Sequence, residues 1–221
     1  MSDPALAPSV HAGQAVYTKP MLAVYDYIVL GFFCRFVWRC PSRHILGLYQ
    51  CHTTANHLDA GVGTGYFLNH CRLPSSQPRL MLLDLNPNSL EVAARRLVRY
   101  RPETCRANVL EPLKISGSGF DSIGMSGLLH CLPGAMKDKA IALDHLKTVL
   151  NPGGVLFGAT LLSGGVERAA LTRLAMNHLN RTGVFSNSDD DLEGLTAELT
   201  KRFSDVSVRV IGCFALFSGR A

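Results

Sequence analysis

His57-Leu58-Asp59-Ala60-Gly61-Val62-Gly63-Thr64-Gly65-Tyr66-Phe67-Leu68 decides the fold. A short apolar run ends in an acid, three glycines follow at every second position, and an amphipathic segment opens at Gly65. A short apolar run bounded by glycine reads as a buried strand, and the turn after it leads into a helix. Glycine admits positive φ, and its missing Cβ lets a ligand approach the backbone closely. In open α/β sheets, ligands bind outside the carboxyl ends of the strands, where this turn lies.

Downstream, further apolar runs at 79–84, 104–109, 120–126 and 154–161 join the first strand at 55–60. Helical patterns at 65–71, 88–100 and 136–150 separate them. Such alternation specifies βαβ units, and right-handed crossovers make the product an α/β, Rossmann-like, doubly wound sheet. A helix over 165–182 and a loop over 183–188 come next. Ser188, with Asp191 three residues on, is expected to cap another helix. The runs 206–211 and 213–218, divided by Gly212, are expected to form a hairpin that closes the sheet with an antiparallel edge.

Upstream, apolar residues recur at Met21, Tyr25, Ile28, Phe32 and Phe36, the spacing of one helix face over 19–39. Asp26 and Arg35 interrupt it, leaving no uncharged run of about 18 residues, so no transmembrane segment is expected. The helix stops before Cys40-Pro41, and a short one over 43–51 follows. Residues 1 to about 17 show no periodicity and read as an arm. The organisation expected is an arm with a helical lid over 1–52 and a cofactor-binding core over 53–221, one globular domain overall.

Composition narrows the function classes. The 221 residues are 47% hydrophobic and 18% charged, too apolar for a disordered chain, and the net charge is only +5. That mild basicity does not argue for a nucleic-acid partner. The seven cysteines form no CxxC pair and no histidine cluster, so no metal site is expected. Most of them read as small buried hydrophobes, in a reducing, cytoplasmic compartment, and MSDPALAPSVHAGQ has no leader-peptide pattern.

Three strand ends carry ligand-binding chemistry. Asp84 closes the second strand, placed to accept hydrogen bonds from both hydroxyls of a ribose, with Leu85 beside it. Asn108 and Val109, at the end of the third, offer an amide and backbone groups to a base. Gly61, Gly63 and Gly65 form G-x-G-x-G rather than the G-x-G-x-x-G of dinucleotide sites, and no phosphate-loop lysine follows. Asp59 would repel a pyrophosphate and suits a cation. The cofactor expected is a nucleoside that carries a positive charge and no phosphate, and S-adenosylmethionine has those features.

The blocks HLDAGVGTGYFL (57–68), LMLLDLNPNSLEVAARRL (80–97), ANVLEPL (107–113), FDSIGMSGLLHCLP (120–133) and LNPGGVLFGATLL (150–162) resemble the class I S-adenosylmethionine-dependent methyltransferases. GVFSNSDDDLEGL and GCFALFSGR resemble a stand-alone microbial group acting in specialised metabolism. The resemblance implies a seven-stranded sheet with a reversed last strand. It also implies that Asp59 and the glycines hold the methionine part, Asp84 the ribose and Asn108 the adenine, although Asp is commoner at the last position.

Methyl transfer needs alignment above all, and positioning can supply about 7–11 kcal/mol. His130, after the fourth strand, is the candidate base for a hydroxyl acceptor, against the alternative of a histidine shaping the pocket. Ser126 is a candidate contact for the cofactor. Tyr17 and Tyr25, with Tyr27, are candidates for a substrate lid, though Tyr25 also fits a core face. Arg95, Arg96 and Arg99 read as a solvated helix face, while Arg35, Arg39 and Arg43 beside an apolar face raise docking on a membrane surface. The tetrad Met125-Ser126-Gly127-Leu128 stands where many base amino-methyltransferases carry Asn/Asp-Pro-Pro-Tyr. The expected acceptor is therefore a small, fairly apolar metabolite; the rivals are RNA or protein methylation and a non-catalytic scaffold.

Overall fold

The computed structural model describes residues 17–221. The arm expected over 1–17 lies outside the described residues except for Tyr17.

Among the described residues one seven-stranded sheet runs β3-β2-β1-β4-β5-β7-β6. The strands are β1 (Asn56–Ala60), β2 (Arg79–Asp84), β3 (Glu103–Arg106), β4 (Phe120–Ser126), β5 (Leu150–Leu161), β6 (Ser204–Ile211) and β7 (Phe214–Arg220). β1 pairs in parallel with both β2 and β4, so the chain reverses its direction of winding there. That switch opens a crevice at the carboxyl ends of β1 and β4. β7 is the antiparallel strand, as expected, but it lies between β5 and β6 rather than at the edge. Burial explains the order: Phe214 to Phe217 are all buried, while every residue of β6 keeps some exposure.

Leu80, Leu82 and Phe157 face one layer, formed with Tyr49 and Trp38, while Leu58, Ile123 and Phe120 face Leu143, Leu146 and Leu199 on the other. Each such side chain, once buried, contributes about 1.5–3 kcal/mol. Helix α2 (Arg43–His52), α3 (Tyr66–His70) and α4 (Pro87–Arg96) accompany the first layer. Asn86 caps α4 by accepting from the Asn88 N–H at 2.9 Å, with Pro87 pre-set at the first turn.

Several boundaries differ from the expected ones. β3 stops at Arg106, leaving Asn108 in a turn where its Oδ1 accepts from the Leu110 N–H at 3.1 Å. The pattern over 136–150 divides at Ala140 into α5 (Met136–Lys139) and α6 (Ile141–Lys147). Helix α7 (Ala170–Arg181) starts later than expected because 163–165 is held elsewhere: the Ser163 and Gly164 N–H groups donate to the Asp190 carbonyl. Asp191, not Ser188, caps α8 (Leu192–Thr200), accepting from the Gly194 N–H at 2.6 Å.

The first helix, α1, spans Lys19–Val37 and winds more widely from Asp26 onward, with i→i+5 hydrogen bonds. It is long and apolar enough, by length and composition alone, to cross a membrane. Here it lies across the crevice. Asp26 pairs with Arg96 at 2.7 Å and accepts from the Thr64 hydroxyl in the glycine turn at 2.7 Å. Lys19 pairs with Glu91, and Asn86 and Asn88 donate to the Tyr17 carbonyl. At the other end, Thr172 donates to the Val37 carbonyl and the Cys213 N–H to that of Trp38, satisfying groups a helix end leaves open.

Candidate active site: two cavities on one glycine strip

β1 delivers the chain into Gly61, Gly63 and Gly65, all at positive φ. Their reasons differ. A Cβ on Gly65 would come within 3.2 Å of Ala93, so this glycine lets α3 and α4 approach. A Cβ on Gly63 would meet nothing within 4 Å, and the same holds at Gly127 after β4. These two glycines bound open space, and two cavities meet there.

The first, about 780 Å³ with its mouth included, is lined by Gly61, Gly63, Asp84, Leu85, Ser89, Asn108, Val109 and Ser126 among others. Asp84 accepts from the Asn86 N–H at 2.8 Å and the Gly63 N–H at 3.4 Å. Burial outweighs those bonds and raises its carboxyl to about 6. The Ser126 hydroxyl is buried and has no hydrogen-bond partner among the described residues. An ionisable acid, an orphaned hydroxyl and a backbone cradle fit the hydroxyl-bearing nucleoside and amino-acid ends of S-adenosylmethionine.

The second cavity, about 1270 Å³ with its mouth, is lined by Val29, Phe33, Trp38, Leu161, Phe185 and Phe214 among others, with His130 in the same wall. Tyr17, Tyr25, Gly61, Gly63, Ser126 and Gly127 line both cavities. The Tyr17 and Tyr25 rings lie 5.8 Å apart at this junction. Tyr25 chiefly, then burial, raises the Tyr17 phenol, and burial chiefly raises that of Tyr25.

The structure thus brings together Gly61, Gly63, Asp84, Leu85, Asn108, Val109, Ser126, Tyr17 and Tyr25, and sets His130 in the apolar wall. Asp59 and Gly65 do not line either cavity. Asp59 is buried beneath the turn, where it accepts from the Tyr49 hydroxyl at 2.7 Å. The sequence reading missed Tyr49, Trp38 and Phe185. Tyr49 was within reach as the one aromatic in the short helix before β1. Phe185 lies in the 183–188 loop, whose fold depends on distant partners. The Ser186 N–H donates to the His130 carbonyl, and buried Lys139 donates to the Ser186 carbonyl and to Asp190. Phe185 is thereby set 4.7 Å from the His130 ring and 6.1 Å from that of Trp38.

A family model described as a methyltransferase domain matches residues 58–156. The demethylluteothin O-methyltransferase of Streptomyces thioluteus is 45% identical over 93% of this chain and 89% of its own length. The physcion biosynthesis cluster O-methyltransferase of Aspergillus chevalieri is 39% identical over 97% and 96%. A solved DhpI–SAH complex shares the fold, with a TM-score of 0.68 at 14% identity over 96% of both chains. Identity of that extent, spanning the nucleoside cradle and the apolar cavity alike, means that the chain belongs to the S-adenosylmethionine-dependent methyltransferases that act on small molecules.

Proposed function

We propose that the enzyme methylates an oxygen of a bulky, apolar small molecule bound in the second cavity, with the cofactor in the first. The observation that carries this reading is the meeting of a polar and an apolar cavity over Gly63, Ser126 and Gly127. When bound, S-adenosylmethionine supplies an electrophilic sulfonium methyl. In this reading Asp84 accepts from the ribose hydroxyls, and Ser126 with the backbone at Gly61 and Gly63 holds the methionine part. Leu85 and Val109 enclose the adenine. Asn108 serves it through its backbone, since its side-chain oxygen is engaged by Leu110. Asp59 acts from below through its negative charge, and Gly65 acts by admitting α4. Tyr17 and Tyr25 separate the cofactor space from the acceptor space, and α1 forms the lid of the expected 1–52 unit over the 53–221 core.

The choice of oxygen rests on the two relatives above, both O-methyltransferases and alike over nearly the whole chain. RNA is disfavoured because Arg96 pairs with Asp26, Arg95 with Glu91, and Arg99 donates to Asn69. The proposed setting is cytoplasmic. Labelled methyl transfer to a panel of apolar phenols and enols, beside RNA and peptide, tests the proposal. Turnover on the apolar hydroxylated compounds is expected. Val29→Trp, which narrows the cavity, should lower acceptor turnover at least tenfold while leaving S-adenosylhomocysteine affinity within about twofold. Methylation of RNA or peptide alone would overturn the reading.

A further inference from the structure

His130 follows β4 on a short turn, Leu129–Cys131, and its ring is almost wholly buried. The Leu161 N–H donates to its Nδ1 at 3.2 Å, and the Thr160 hydroxyl lies 3.4 Å from the same atom. A backbone N–H is a donor only, so Nδ1 has to be the unprotonated nitrogen, and neutral His130 carries its proton on Nε2. Nε2 has no hydrogen-bond partner among the described residues, and His130 lines the apolar cavity. The ring packs edge-on to Phe185 and Phe214, surroundings that disfavour a cation. Burial, with the nearby Lys139 charge, lowers its pKa to about 3.

Resting on the reading of the second cavity as the acceptor site, we propose that His130 is a hydrogen-bond donor to the acceptor through Nε2–H and not its general base. Its partner is a carbonyl or equivalent oxygen conjugated to the oxygen that is methylated. A second feature points the same way: among the described residues, no Asp or Glu lines this cavity. Tyr17, Tyr25, Tyr49 and Cys34 also line it; Tyr25 and burial raise the Tyr17 phenol, and burial chiefly raises the other three, so all four hold their protons at neutral pH. With no local group to take a proton, the acceptor hydroxyl loses its proton to water. The resulting oxyanion forms the O–CH3 bond as the C–S bond breaks, the electron pair leaving on sulfur. The acceptors favoured are acidic hydroxyls, phenols or enols conjugated to a carbonyl, whose spread negative charge the Nε2–H stabilises. A neutral donor costs less to bury than an imidazolium would.

Three readouts test this. In wild type with S-adenosylmethionine saturating at every pH, the pH at which kcat/KM for the acceptor rises should follow the acceptor's own pKa across a phenol series. A midpoint fixed on one value for all acceptors would overturn the proposal. His130→Gln, which keeps an N–H donor, should retain activity within about tenfold, whereas His130→Phe should lose on the order of 10- to 150-fold, chiefly in kcat/KM. Equal loss in both would instead indicate a base. 15N NMR of the imidazole should show the Nε2–H tautomer from pH 8 down to 5, and protonation near pH 6.5 would contradict it. His11→Ala and Asp3→Asn, ahead of the described residues, should leave the pH profile unchanged; loss of its basic limb would place the base there. Unchanged S-adenosylhomocysteine affinity in each His130 variant shows an intact cofactor site. Absence of turnover on every small molecule would defeat the acceptor-site reading itself rather than the assignment of His130.

Discussion

Asp84 concentrates the residue-scale chemistry. Burial holds its carboxyl near 6, while the ribose hydroxyls proposed to bind it donate more strongly to the ionised form. The proton and the ribose therefore compete. As pH falls through 6 the folded protein takes up the proton, and cofactor affinity falls with it. Binding of S-adenosylhomocysteine at pH 5 should be about tenfold weaker than at pH 8, and Asp84→Asn should flatten that dependence. Calorimetric titration across this window measures both, and an equal pH slope in the variant would assign the effect elsewhere. Asp84, Gly61 and Gly63 were legible because strand-end acids and spaced glycines are local patterns. The different purpose of Gly65 was not legible, since it depends on Ala93, which only folding brings within 3.2 Å of a would-be Cβ.

At the scale of elements, α1 joins the lid to the cradle. Its apolar spacing predicts a helix, and one of its charged residues, Asp26, has a structural use: Arg96 and Thr64 both hold it against the glycine turn. The wider winding from Asp26 onward has no one-residue signature in the sequence. Asp26→Ala should loosen the lid over both cavities. The acceptor KM is expected to rise several-fold, with at most about 1–2 kcal/mol lost in stability, since the pair is partly exposed. Steady-state kinetics beside thermal unfolding checks this; an unchanged KM would mean that the helix is held by its apolar side alone. The α8 cap falls on Asp191 rather than Ser188. Both residues suit the role, and the pairing of 163–164 with Asp190 decides between them.

Across the whole molecule, the doubly wound sheet and its antiparallel closing pair were readable from the run pattern, while the place of β7 between β5 and β6 and the second cavity were not. The wall of that cavity combines α1, the turn after β4 and the loop after α7, which are far apart in sequence. Lys139 and Asp190 tie that wall together from the interior, both almost wholly buried and 2.5 Å apart. Removing one partner leaves a buried charge unpaired, at about 3–5 kcal/mol. Asp190→Ala should therefore lower Tm by roughly 6–20 °C. It should also weaken acceptor use through Phe185, while Lys139→Met combined with Asp190→Leu should recover much of the stability. Differential scanning calorimetry of the two variants beside wild type tests the link, and an Asp190→Ala protein as stable as wild type would refute it.

The most direct test of the two-cavity site is calorimetric titration of S-adenosylhomocysteine into the wild type and Asp84→Ala at pH 8. Tight binding to the wild type, weakened about 10- to 150-fold by the loss of charge-assisted ribose bonds, is the expected result. Equal affinity in the two proteins, or no binding to a folded wild type, would contradict it.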